Sequence, residues 1–114
     1  MRSVLIIEDE AIIRGSLKRL LSRNGYRVAE AESLEQAEGE QRLDNFDLIL
    51  SDLRLPGAAG TEVIARAAGV PVVIMTSYAS VRSAVEAMRL GAVDYIAKPF
   101  DHDEMLLTIE RAVK

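Results

Sequence analysis

The sequence predicts an α/β protein: a parallel sheet with helices packed on both of its faces. Three observations carry that reading. Five short apolar runs alternate with five stretches of helical character. The strongest runs are continuously apolar, as in strands covered on both sides. The polar residues with chemical potential stand directly after the runs, at the sheet edge where open parallel sheets bind ligands.

The elements follow in order. Val4-Leu5-Ile6-Ile7 is the first strand, β-branched at three of four positions. Ile13, Leu17, Leu20 and Leu21 recur at helical spacing, and Asn24-Gly25 stops that helix. Tyr26 to Ala31 is a weaker strand, charged at Arg27 and Glu30, and belongs near an edge. Ser33 caps a second helix through Leu34, Ala37 and Leu43, weakened by Gly39. Phe46 to Ser51 is the third strand, and Pro56 to Gly60 is a loop. A short helix over Thr61 to Ala68 leads to a fourth strand, Val70 to Met75, with Pro71 near its start. Ser80 caps a fourth helix whose expected buried face is Val81, Ala84, Val85 and Met88, ended by Gly91. Val93 to Ala97 is the fifth strand. Asp101, with Glu104 three residues on, opens a last helix expected to run to Lys114. Met75, Met88 and Met105 are expected in the core.

Composition narrows the function. A chain of 114 residues is one domain on size grounds, here taken as residues 1–114. With no cysteine there is no disulfide, thiolate metal site or cysteine nucleophile, and one histidine, His102, excludes a multi-histidine zinc site. Lys+Arg number 14 against 18 Asp+Glu, a net charge of −4 that disfavours direct nucleic-acid binding. The apolar runs are too short to span a membrane, and the N-terminus lacks a signal-peptide pattern, so the expected compartment is the cytoplasm.

The strand ends carry complementary parts. The first strand ends in Glu8-Asp9-Glu10, the third in Asp52, the fourth in Thr76-Ser77 and the fifth in Lys98-Pro99. Carboxylates from neighbouring strands would repel unless a cation offset them, and Lys98 is a single charge. All-oxygen ligation with open positions suits Mg²⁺. A magnesium ion beside a carboxylate, a hydroxyl and an amine points to phosphate chemistry, with Asp52 the candidate in-line nucleophile. Each part has an ordinary reading by itself: Glu8-Asp9 as a helix start, Asp52 as a strand-ending aspartate, Thr76-Ser77 as a helix approach, Lys98-Pro99 as a loop dipeptide. Their coincidence at four strand ends carries the argument. Gly57-Ala58-Ala59-Gly60 lacks the lysine and hydroxyl of a phosphate loop, and as a GxxG RNA clamp it lacks a basic face.

These residues resemble the receiver domain of bacterial two-component response regulators over nearly the whole chain. The matching pieces are Ile7-Glu8-Asp9-Glu10, the segment from Ser51 to Gly57, Met75-Thr76-Ser77-Tyr78 and the segment from Ala92 to Phe100. The run from Tyr78 to Ala92 looks most like receivers that precede ATPase modules acting on sigma-54 polymerase. The resemblance implies a doubly wound, flavodoxin-like sheet in the order 2-1-3-4-5 with five helices. It implies that Asp52 accepts a phosphoryl group from a sensor histidine kinase or phosphotransfer protein. It implies Mg²⁺ held by Glu8 through water, Asp9, Asp52 and the backbone carbonyl of Arg54. Thr76 and Lys98 would contact the phosphoryl oxygens, Tyr95 would change rotamer with Thr76, and Arg54 and Tyr78 would tune hydrolysis. The surface of the fourth helix, fifth strand and fifth helix would then change and serve a homodimer or a partner. Such a protein catalyses its own phosphorylation without being a turnover enzyme.

Two departures from the family pattern stand out. The segment Gly60 to Pro71 is short, and Ala58-Ala59 replace larger and acidic residues. Two other functions share parts of the pattern. An aspartate-nucleophile phosphatase would need a general acid two residues past the nucleophile, where Arg54 stands. A receiver-shaped interaction module that is never phosphorylated would be expected to have lost parts of the site. An output domain is expected outside this sequence, which reads as part of a longer regulator.

Overall fold

The structure, a computed structural model, describes residues 1–113. The expected end of the last helix at Lys114 therefore lies outside the described residues. Five parallel strands form one sheet: β1 (Ser3–Ile7), β2 (Arg27–Ala31), β3 (Leu48–Asp52), β6 (Val72–Thr76) and β7 (Asp94–Ala97), in the order β2-β1-β3-β6-β7. Two further strands, β4 (Arg54–Leu55) and β5 (Ala58–Ala59), pair antiparallel as a separate small hairpin. Leaving the hairpin aside, the main strands run 2-1-3-4-5, with the charged strand β2 at an edge as expected. The helices are α1 (Ala11–Arg23), α2 (Leu34–Glu40), α3 (Gly60–Arg66), α4 (Val81–Arg89) and α5 (His102–Ala112). Among the described residues no helix is long and apolar enough to cross a membrane.

Strand alternation sorts the core into two layers. Val4, Ile6, Leu48, Leu50, Val73, Met75 and Ile96 face α1 and α5, meeting Leu17, Leu20, Leu21, Met105 and Ile109. Leu5, Ile7, Ile49, Val72 and Ile74 face the other way, toward Leu34 and Ala37 of α2, Val63 of α3 and Ala87 of α4. Three of the helices start on side-chain caps at the expected residues. Ser33 accepts from the Gln36 amide, Ser80 from the Ser83 amide and Asp101 from the Glu104 amide.

Three expectations are corrected. The second helix stops at Glu40, and Leu43 packs into the core from a separate 3₁₀ turn, Leu43–Asn45, beyond an extended Gln41. The Pro56 to Gly60 loop supplies the turn, Pro56-Gly57 with Gly57 at φ 77°, and the second strand of the β4–β5 hairpin. Of the expected inner face of the fourth helix, only Ala84 turns inward, half-buried. Val81, Val85 and Met88 are 83%, 50% and 45% exposed, and Ala87 is buried instead. The expected core position of Met88 falls with it, whereas Met75 and Met105 are fully buried.

The short segment after the hairpin holds a helix of only 7 residues. Its first residue, Gly60, presses on the end of β3: its amide donates to the Leu53 carbonyl at 2.7 Å. A Cβ at Gly60 would collide with the Asp52 carbonyl oxygen and lie 2.9 Å from Leu53 Cα. Gly60→Ala is therefore expected to lower stability by about 2 kcal/mol, the scale of overpacking against backbone that cannot yield. Thermal and urea unfolding of the purified variant measure it, and a melting temperature equal to wild type would contradict the contact.

Candidate functional site

Register explains why distant residues meet. Ile6 pairs with Leu50 and Asp52 with Met75, which in turn pairs with Ile96. Continuing the alternation past the strand ends sets Glu8, Asp52 and Lys98 on the α1/α5 side of the carboxyl edge. An oxygen from each of Glu8, Asp9 and Asp52 lies within 4.8 Å of the others. Glu8 is fully buried, Asp52 is nearly so, and Asp9 is exposed.

Lys98 is the counter-charge. Its Nζ donates to Glu8 Oε1 at 2.5 Å and to Asp52 Oδ2 at 3.1 Å. The Lys98 amide donates to the Thr76 carbonyl at 2.8 Å, so the end of β6 sets where the side chain starts. The Lys98-Pro99 peptide bond is cis. Glu8 Oε2 accepts the Glu10 amide at 3.0 Å, which satisfies its second oxygen. The side chain of Glu10, at the N-cap of α1, makes no capping hydrogen bond. Asp52 Oδ1 accepts only a long bond, 3.4 Å, from the Arg54 amide.

The pKa directions follow from this crowding. Burial pushes Glu8 above its ordinary value of 4.5 and the Asp52 charge adds to that, against the opposing bonds from Lys98 and the Glu10 amide. Burial works to lower Lys98, but its hydrogen bonds to Glu8 and Asp52, with their charges, outweigh it and raise it above 10.5.

Thr76 is buried at the end of β6, and its Oγ1 accepts the Tyr78 amide at 3.0 Å. Tyr95 opposes Ile74 and Ala97 opposes Thr76, so Thr76 and Tyr95 share the opposite, α4 side of the sheet. The Tyr95 phenol is hydrogen-bonded to the Ser83 hydroxyl on α4. Arg54 and Tyr78 meet each other at the surface, the guanidinium 4.2 Å from the ring centroid. The structure thus brings Glu8, Asp9, Asp52 and Lys98 into one cluster and sets the Tyr95 side chain on another face.

Three participants were not singled out in the sequence. Arg14 Nη1 reaches back from α1 to the Glu8 carbonyl at 2.8 Å and the Asp9 carbonyl at 3.5 Å, pinning the acidic turn. Its spacing of one to two helical turns from the acids was the available signal. Nothing in the sequence around Gly60 signals its close approach to the end of β3. Ser83 looked like an ordinary helical serine, because its partner lies 12 residues away.

As a metal site, the cluster offers an all-oxygen donor set, with a side chain on Asp9 that makes no hydrogen bond among the described residues and one loosely held oxygen on Asp52. That chemistry fits a hard divalent cation.

Residues 4–110 match the model of the family described as response regulator receiver domain. The chain is 40% identical over 114 residues to the transcriptional regulatory protein ZraR of Escherichia coli K12, covering 96% of this chain but 26% of that protein. It therefore spans about a quarter of that relative's length. Its fold is similar to the non-phosphorylated HemR receiver domain from Leptospira biflexa, with TM-score 0.89, 31% identity, and 100% and 95% of the two chains covered. It is also similar to the beryllofluoride-activated NtrC4 receiver domain dimer, with TM-score 0.90, 32% identity, and 99% and 97% covered.

Lys98→Met removes the ammonium paired with Glu8 and Asp52 and leaves the Glu8 carboxylate buried without it. The expected loss at pH 7 without divalent ions is about 3 kcal/mol, the scale for breaking a buried pair by removing one partner. The pH dependence has a definite sign. Without Lys98 the folded-state pKa of Glu8 rises further above its unfolded value, so the folded variant gains stability as pH falls and Glu8 takes a proton. In wild type the raised Lys98 holds its contribution at all pH below its ordinary value and loses it only as pH rises through the raised one. The wild-type advantage should therefore shrink on acidification toward pH 4.5. Urea unfolding across pH measures it, and a constant difference would contradict the assignment.

Proposed function

The chain belongs to the response regulator receiver domain family, and from that membership we propose that Asp52 is the phosphoacceptor of its phosphorylation-dependent switch. The observation that carries the residue assignment is the cluster itself: Asp52, nearly buried, lies within 4.8 Å of two further carboxylates and accepts from the Nζ of Lys98 at 3.1 Å.

The proposed ligands of Mg²⁺ are Asp9, Asp52 and the backbone carbonyl of Arg54, with Glu8 acting through water. Bound there, the cation supplies positive charge to the oxygens of an incoming phosphoryl group. An Asp52 carboxylate oxygen attacks the phosphorus of a phosphohistidine. The P–N bond breaks as the O–P bond forms, and the imidazole keeps the electron pair and takes up a proton. Lys98, drawn partly away from Glu8, pairs with one phosphoryl oxygen, and the Thr76 hydroxyl donates to another. The new group adds about −1.5 to −2 charge at neutral pH, enough to pull Thr76 from its bond with the Tyr78 amide. Tyr95, diagonal to Thr76 on the α4 side, then takes a different rotamer. Arg54 and Tyr78, stacked over one another, tune hydrolysis of the phosphoaspartate.

The proposed donor is a sensor histidine kinase or phosphotransfer protein. A cleft of about 580 Å³ reaches Lys98 and is lined by Ile12, Ile13, Pro99 and Phe100, which gives such a protein an apolar seat next to the site. The α4, β7 and α5 surface is the proposed homodimer or partner face. The exposed Val81, Val85, Met88, Val93 and Leu107 support that placement, and the similarity to a receiver that forms a dimer supports self-association as one use of it. As a whole, residues 1–114 are proposed to act in the cytoplasm as the receiver part of a transcription regulator, of the kind that precedes a sigma-54-interacting ATPase module. The receiver itself is proposed neither to bind nucleic acid nor to turn over a substrate.

Incubation with a small phosphodonor and Mg²⁺ is expected to add one phosphoryl mass to wild type. Asp52→Asn should abolish it, and Asp9→Asn should slow it while weakening Mg²⁺ binding at least about tenfold. Intact-mass spectrometry and Mg²⁺ titration followed by tyrosine fluorescence measure the two effects. Mass gain persisting in Asp52→Asn would place the acceptor elsewhere.

A further inference from the structure

Helix α4 packs against its own hydrophobicity. Val81, Val85 and Met88 form a stripe at spacings of four and three residues, which would normally be the buried one, yet it faces out. The stripe turned to the sheet is small and partly polar. Ser83 and Ala84 are half-buried and Ala87 is buried, in the layer that holds Ile74, Ala92, Ile64 and the Tyr95 ring. Burial of apolar surface alone favours rolling the helix about its axis to bring Val81 and Val85 inward. The bulk of Tyr95 and Ile64 beneath α4 favours small residues there but does not fix the roll.

A polar connection does. Among the described residues, one side-chain hydrogen bond joins α4 to the sheet, between the Ser83 hydroxyl and the Tyr95 phenol. The same hydroxyl is built into the start of the helix. Ser83 Oγ donates to the Ser80 carbonyl at 3.3 Å, Ser80 Oγ lies 3.1 Å from it, and Ser80 Oγ accepts the Ser83 amide at 3.0 Å. Tyr95, Ser83 and the helix cap are thus one connected network. Half-buried hydroxyls in such a network are costly to leave unpaired, so the bond has a defined geometry to defend.

We propose that the Ser83 hydroxyl is a latch that fixes the roll of α4 through Tyr95 and so holds Val81, Val85 and Met88 outward. Ser83 is a positioning residue and touches none of the carboxylates or Lys98. The latch follows from the packing of α4 alone. Its regulatory consequence, that a Tyr95 ring leaving Ser83 frees the helix, rests on the reading of Asp52 given above.

Amide hydrogen exchange of the full chain, with no phosphodonor or metal, tests the latch. In Ser83→Ala and in Tyr95→Phe the amides from Ala84 to Arg89 should exchange about fivefold faster, the effect of losing one hydrogen bond. The double variant should be no faster than either single one, amides of α1 and β1 should keep their protection, and Ser83→Thr should match wild type. Wild-type exchange in either single variant, additive effects in the double, or Ser83→Thr behaving as Ser83→Ala would overturn the proposal. Titration with beryllofluoride and Mg²⁺ tests the consequence. The half-saturating concentration should fall about fivefold in Ser83→Ala, because the bond no longer opposes the shift in population. An unchanged midpoint would sever the latch from the Asp52 site. Wild type taking no beryllofluoride would instead count against the Asp52 reading, and the exchange comparison would still decide the latch.

Discussion

One ammonium group balances three clustered carboxylates, and the rest of the fold is arranged so that it can. Lys98 bonds to two of them at once, a buried Glu8 and a nearly buried Asp52. Desolvation pushes against the charges of Glu8 and Lys98. The arrangement persists because each partner is held by backbone. The Glu10 amide holds Glu8, the Arg54 amide holds Asp52, and the Thr76 carbonyl holds the amide of Lys98. A cluster with surplus negative charge is poised for a cation and for the electrophilic phosphorus of a phosphoryl donor. It is not poised to be most stable when empty, which is the usual relation between a functional site and its fold.

The sheet transmits that constraint. Glu8, Asp52 and Lys98 come from three strand ends on one face, while Thr76 and Tyr95 lie on the other face of adjacent strands. Thr76 is therefore the joint between them: its carbonyl helps place Lys98, and its hydroxyl sits on the side that Tyr95 shares. Gly60 completes the frame from below, since its missing Cβ lets α3 close directly on the end of β3. A side chain there would move the backbone of Asp52, so the absence of one is a positional requirement and not a flexible hinge.

Much of this was legible in the sequence, because buried parallel strands and the residues after them carry strong signals. Val4 to Ile7 and Val72 to Met75 could be little else than interior strands, and Glu8, Asp52, Thr76 and Lys98 fall where strand ends must. What was not legible depends on neighbours far away in the chain. Two-residue strands such as Arg54–Leu55 have no periodicity to detect. Leu43 looked like a continuation of α2, but Gln41 is extended and the 3₁₀ turn delivers the leucine to the core from outside the helix. The inner face of α4 was misread because apolar periodicity normally marks the buried side, and here it marks the exposed one.

The outward apolar stripe of α4 is the second departure from local preference. In the proposed latch, shape makes room for small residues beneath α4 and polar anchoring fixes its roll. Shape is supplied by Ala84 and Ala87 against a large ring, and anchoring by the hydroxyl of Ser83. The carboxylate cluster and α4 are thus the two places where local preference is overridden, one electrostatic and one hydrophobic. They lie on opposite faces of the sheet, joined through β6 and β7. The proposed coupling between them runs along those two strands. On them, among the described residues, the Thr76 hydroxyl accepts from the Tyr78 amide and the Tyr95 phenol is hydrogen-bonded to Ser83, and these are the contacts that the proposed switch would have to exchange.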